Sequence, residues 1–356
     1  MAHDARKEDY QRLGLRFIRQ LDGEDSGVAM KAFAGFGQRF STDRDSLPQT
    51  DADRAFHLVS RAADLIDYQL PFADATHAGE LVVQGKRLLL EATALDPNCF
   101  DAQRMLSSTD IPSITSRYEF LYEEEPGVKE VCEAARDEAL ASDDEPERAV
   151  AAGDLAMRPY LRWVASMAEL ALICGRNRQS VELARQLIAL DPTDISDARF
   201  TLALGLAKLE DEAALDELER AYPSIYAGRG ANDAWMLLAR IALAFKKHKH
   251  VVAREALARL LRAYPTGAVA LIRQNELPDG EFARLSVQPY SEDELVVALS
   301  ESVVLLQEGN DPTGRGILGT WIAENTAVLR PSAVDEARRL EEQIQAQFGQ
   351  QGGEQF

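Results

Sequence analysis

Apolar residues along this chain recur at helical spacing. Tyr10, Leu13, Phe17, Ile18 and Leu21 fall on one stripe, and so do Phe56, Val59, Ala63 and Ile66, with Asp51 placed to cap the second helix. Gly23 and Gly27 break the chain after the first stripe, Gly35 and Gly37 weaken a short helix behind them, and Pro71 closes the segment that begins near Asp51. A further helix is predicted from about His77 to Leu95. Ala, Leu, Glu and Arg dominate, while alternating Val/Ile/Thr runs are nearly absent, so the pattern predicts an all-α chain.

Within this pattern a two-helix plan recurs. Tetratricopeptide (TPR) repeats run about 34 residues, with bulky and small positions in a first helix, a glycine-led turn, and a second helix closed by proline. Residues 161–194 fit with Val164, Ala168 and Ala171 in the first helix, Gly175 at the turn, Ser180, Ala184 and Leu187 in the second helix, and Pro192 at the end. Residues 231–265 fit with Trp235, Leu238, Ala239 and Ala242, then Ala253, Leu257, Leu260 and Pro265. A shorter unit between them ends at Pro223, and a degenerate second helix ends at Pro97. "ALDP" closes a helix at 94–97 and again at 189–192, and "RAYP" at 220–223 and 262–265 reads as its altered form. Proline lacks an amide donor and pushes its predecessor out of the α region, so each marks a helix end. Leucines such as Leu190 and Leu257 are expected to dock there, with truncation to Ala costing about 2–5 kcal/mol.

The expected architecture is a TPR-like right-handed superhelix, an α-solenoid of antiparallel helix pairs, preceded by irregular N-terminal helices. Residues 1–145 would form the N-terminal helical region, containing the degenerate repeat that ends near Pro97 and an acidic helix over 119–147. Residues 146–348 would hold the repeats and C-terminal capping helices, and 349–356 a flexible tail. The boundary is placed at "ASDDEPERAVAAGDLA", with Pro146 and Gly153. Ser291 and Glu294 are spaced as a capping box for the helix that begins there.

The stretch from "RPYLRWVASMAELALICGRNRQSVELARQLIALDPTD" through "RAYPTGAVALIRQNELPDGEFARLSVQPYSEDELVVALSESVVLLQEG" resembles a bacterial TPR-like family related to the protein called suppressor of tumorigenicity seven. The resemblance covers roughly residues 150–310. It implies helical repeats and no established catalysis.

Charge narrows the partners. The formal net charge is −20, which argues against nucleic acid or an anionic membrane as the main partner. From Glu119 to Glu147 twelve acidic side chains face only Lys129 and Arg136, a strip suited to a solvated helix face or to a basic partner. Lys246 to Arg262 carries six Lys/Arg against Glu255, a basic patch that can serve a ligand, nucleic acid or the acidic strip of a second copy. Cys99, Cys132 and Cys174 lie far apart in apolar stretches and read as free thiols of a cytoplasmic protein. No signal-peptide pattern opens the sequence, and no run approaches the roughly 18 apolar residues of a membrane span.

No nucleophile, phosphate-loop or metal-binding motif is present, so no catalytic residue, metal or cofactor is assigned. Of the five histidines, His248 and His250 in "KKHKH" are spaced to touch a transition metal but lack the further ligands a site needs, and they read as a solvated turn. The expected function is a non-catalytic scaffold that holds a peptide or partner helix on a concave face of first helices. The inward positions would be Arg162, Ala165, Glu169 and Leu172 in one unit, and Met236 and Arg240 in another. Lys and Asn, which chaperone-tail clamps of the TPR family carry at two such places, are replaced by Ala165 and Glu169, so no such clamp is expected. The alternatives are a cryptic α-helical hydrolase and a regulatory protein using the basic patch.

Overall fold

The computed structural model describes residues 4–225, 230, 232–277, 280, 285–309 and 316–351, with 223–225 and 345–351 described through their backbone alone. Among the described residues there are seventeen α-helices and no strand, so the chain is all-α. It divides into two compact units, His3–Cys174 and Gly175–Phe356.

The first unit contains α1 (Ala5–Arg19), α2 (Ser26–Thr42), α3 (Asp51–Ala63), α4 (Ala75–Leu95), α5 (Phe100–Asp110), α6 (Ile114–Ala141) and α7 (Pro146–Ile173). Side-chain caps set several starts. Asp4, Asp25, Asp74 and Ser113 each accept from a backbone amide of the first turn. The cap of α3 is Thr50 rather than the expected Asp51; its hydroxyl accepts from the Asp53 amide while the Asp53 carboxylate accepts from the Thr50 amide. A π-helical turn, Asp64–Gln69, follows α3 directly. Ala55, Val59 and Ala62 of α3 meet Leu88, Leu89 and Ala92 of α4 and Ala102 and Met105 of α5 in one core, and Leu13, Phe17, Phe36 and Leu47 form a second.

Helices α6 and α7 form an antiparallel hairpin. The Trp163 indole donates to the Leu121 carbonyl at 2.9 Å, Tyr160 donates to Glu125 at 2.6 Å, and Gly153 leaves room for Arg136 and Leu140. The boundary expected at 145/146 therefore falls in the turn of this hairpin, and the division between the units comes at Cys174/Gly175. A composition shift and a proline mark a tight turn as readily as a domain linker.

The second unit contains α8 (Asn177–Leu190), α9 (Ala198–Lys208), α10 (Glu212–Ile225), α11 (Ala234–Lys246), α12 (His250–Ala263), α13 (Ala268–Ile272), α14 (Glu292–Glu301), α15 (Val303–Leu306), α16 (Ile317–Leu329) and α17 (Pro331–Gln351). Helix α9 packs against α8, α10 and α11, and α11 packs in turn against α12. Phe200 of α9 stacks on Trp235 of α11 at 3.8 Å. The turns after α7, α9 and α11 each hold one left-handed residue: Gly175, Glu210 and His248, with φ of 75°, 58° and 57°. Only the first has the expected glycine, because a single strained turn costs a tightly packed helix pair little.

Helices end before Pro97, Pro192 and Pro265, whereas Pro223 lies inside α10. Leu190 does not dock: it is 46% exposed, and Leu187, one turn earlier, fills the buried position. Leu238, Ala253 and Leu257 are buried as expected. Ser291 caps α14, but the Glu294 carboxylate bypasses the Ser291 amide and accepts from the Tyr290 amide and the Tyr264 hydroxyl, both at 2.7 Å. Of the expected tail, α17 takes in the chain through Gln351, and 352–356 lie outside the described residues.

Candidate functional site

The expected partner-binding positions divide between the two units, and most are not available to a partner. On α7, Arg162 and Leu172 are buried, Ala165 is half-buried and Glu169 is exposed. The Arg162 guanidinium donates to Asp101 at 2.6 Å and to Glu8 at 2.9 Å, and Glu8 also accepts from Arg12 at 2.7 Å. Burial pulls the Arg162 pKa down, but the Asp101 and Glu8 carboxylates outweigh it and hold the group firmly protonated. On α11, Met236 is fully buried and Arg240 is ion-paired with Asp216 and Glu219, both at 2.5 Å.

Met236 is buried because the face expected to be open is covered from within the same unit. Helix α14 packs on α11 and α15 on α9. Glu301 accepts from the Trp235 indole at 2.5 Å, the Lys208 ammonium donates to the Val304 carbonyl at 3.0 Å, and Glu308 pairs with Lys246 at 2.7 Å and with Lys208. Leu295, Leu299, Leu305 and Leu306 supply the apolar side of this segment, and all four are buried. Helices α9 and α11 are accordingly buried on nearly every side, as expected of internal helices.

The basic patch is largely neutralised inside the second unit. Lys249 and Lys247 donate to Glu212 at 2.7 and 3.0 Å, Arg259 pairs with Glu219, and Arg254 donates to Asn325. The hydrogen bonds from Lys249 and Lys247 pull the Glu212 carboxyl down to about 2. In the acidic strip, Asp143 is held low by Arg148 and Arg19, while Glu123, Glu124, Glu130 and Glu138 stay exposed.

A second concavity lies in the first unit, a cleft of about 710 Å³ bordered by α1, the end of α2, the segment behind it, α3 and the π turn. At its base the buried Asp9 carboxylate accepts from Arg44 at 2.6 and 3.0 Å and meets His57 Nδ1 at 2.7 Å. His57, Ser60, Arg61 and Asp64 reach the cleft together because they follow one another at helical spacing on one stripe of the chain. Asp64 pairs with Arg6 and also accepts from Gln69 at 3.0 Å. The sequence passed over His57 because its partners, Asp9 and Arg44, stand elsewhere in the chain; the readable trace was the polar stripe 53, 57, 60, 61, 64 opposite the apolar one.

Comparison with family models, curated proteins and solved structures returns no match for this chain. Among the described residues no helix is long and apolar enough to cross a membrane, and no three His, Cys, Asp or Glu side chains converge as a metal-ligand set.

Proposed function

We propose that this chain is a TPR-like helical-repeat interaction protein whose second unit holds an amphipathic helix along α9 and α11. The observation that carries the reading is the seating of α14 and α15 on those two helices, with leucines inward and Glu301 and Glu308 bonded to Trp235, Lys208 and Lys246. The order of packing supports a repeat plan: α8 meets α9, α9 meets α11, α11 meets α12, and the interhelical turns repeat a left-handed residue. The groove is thus built for a helix that is leucine-rich on one side and acidic on the other, and in this state its own chain supplies one. A partner helix of the same chemistry competes with the internal segment, so apparent affinity is lowered by the fraction of time the groove is filled.

The test is a labelled peptide of residues 288–309 titrated against the full chain by fluorescence anisotropy. The wild type is expected to bind it weakly. The double variant Glu301→Ala, Glu308→Ala removes the polar anchors and is expected to bind at least about tenfold tighter. A folded double variant whose α14 and α15 amides exchange faster, yet which binds no better than the wild type, would reject the reading.

A further inference from the structure

We infer that the cleft of the first unit is a binding site for a small organic phosphate. The argument begins with which polar groups around it are already engaged. Asp9 is saturated by Arg44 and His57, Arg44 is further held by Gln49 at 2.7 Å, and Asp64 is taken by Arg6 and Gln69. Both carboxylates of the lining are therefore satisfied. Three groups are left over: two donors, and an imidazole nitrogen that accepts in the neutral ring and donates in the protonated one. Ser60 is only 4% exposed and lines the cleft, yet its hydroxyl has no hydrogen-bond partner among the described residues. The exposed Arg61 guanidinium, one residue on, has no ion-pair partner among them either. His57 uses Nδ1 on Asp9, which fixes the ring and leaves Nε2 to the cleft.

The Ser60 side chain is nearly buried, but its hydroxyl opens on the cleft and is free to bond a ligand there. A site whose uncommitted groups are a guanidinium, a hydroxyl and an oriented imidazole calls for an anion that both accepts and donates, and a phosphate monoester does: its oxygens accept from the guanidinium and the hydroxyl, and its P–OH donates to Nε2 of the neutral ring. In a chain of net charge −20, this lining holds Arg6, Arg44 and Arg61 against Asp9 and Asp64. The ligand is more than a bare ion. A cleft of about 710 Å³ far exceeds one phosphate group, and Phe40 and Leu65 give it an apolar wall for an organic body. The wall is shaped in part by the π turn, which begins at Asp64 and so sets both Asp64 and Leu65 at the rim; such turns are rare and occur frequently at functional sites.

The experiment titrates the full chain with phenyl phosphate and with inorganic phosphate, followed by calorimetry and by the ¹H–¹⁵N shifts of residues 57–65. Phenyl phosphate is expected to bind the tighter of the two. Arg61→Ala and Ser60→Ala are each expected to weaken it by about tenfold or more while leaving the thermal melt in place, since neither group has a partner in the free protein. Arg262→Ala, an exposed cation of the second unit, is the control and leaves binding unchanged. Three results would overturn the inference: no shift at about 10 mM ligand, equal binding of the two probes, or an Arg262→Ala effect as large as that of Arg61→Ala.

Discussion

The residue that best separates a binding role from a structural one is Arg162. Its place on the repeat template put it on an inner face, but its side chain is buried between Asp101 and Glu8 and lies near the Phe56 ring, 5.8 Å from its centre. Truncation would leave Asp101 and Glu8 buried with fewer partners. Arg162→Ala is therefore expected to cost about 3–5 kcal/mol, a clear drop in the urea midpoint. An unchanged midpoint would return Arg162 to the surface role read from the sequence. The error has a general cause. Helical periodicity tells which face of a helix a residue occupies, but it does not tell what covers that face. Trp235, Leu238 and Leu257 were legible because an apolar stripe is buried whatever its neighbour. Arg162, Met236 and the pair Asp9–His57 were not, because their meaning depends on side chains from distant elements.

At the scale of elements, the proline-marked ends were legible as ends but not as docking points. The two "ALDP" segments share one geometry: the aspartate amide donates back into the helix, and its side chain then accepts from the amide two residues on. This turn is made by Asp96 and Asp191, and the leucine before each is exposed. "RAYP" is a different device, since Tyr222 and Tyr264 are fully buried and Tyr264 bridges the Ala234 amide and Glu294. The basic patch likewise takes its role from the element before it. Glu212, at the start of α10, ties down both lysines of the turn between α11 and α12. Its carboxyl falls to about 2 in the folded chain, below its ordinary 4.5, so the unfolded chain binds the proton first. The contribution is complete above pH 4.5 and is lost as pH falls toward 2. Thermal melts between pH 5 and 2.5 should fall more steeply for the wild type than for Glu212→Gln. Parallel slopes would mean that solvent screens the contact to nothing.

For the whole molecule, what matters is where one folding unit ends and the next begins. The sequence placed that point at 145/146, on a proline and a run of charge, and the structure places it at Cys174/Gly175. The difference is testable through the cysteines, because all three lie at or before residue 174. Burial raises the Cys99 thiol to about 12 and the Cys132 thiol to about 11, so neither supplies thiolate at pH 8, while Cys174 is only half-buried. Cys132 sits on α6, and its shelter comes from α7, where the Tyr160 backbone lies against it. A fragment of residues 1–174 keeps the α6–α7 hairpin together with the α3–α5 core, and it is expected to melt cooperatively with Cys99 and Cys132 closed to Ellman's reagent. A fragment of residues 1–145 loses α7, which removes both the cover of Cys132 and the Arg162 partner of Glu8 and Asp101. It should expose Cys132 at once and melt without a sharp transition. Equal protection of Cys132 in the two fragments would restore the earlier boundary, because it would mean that α6 finds its core without α7.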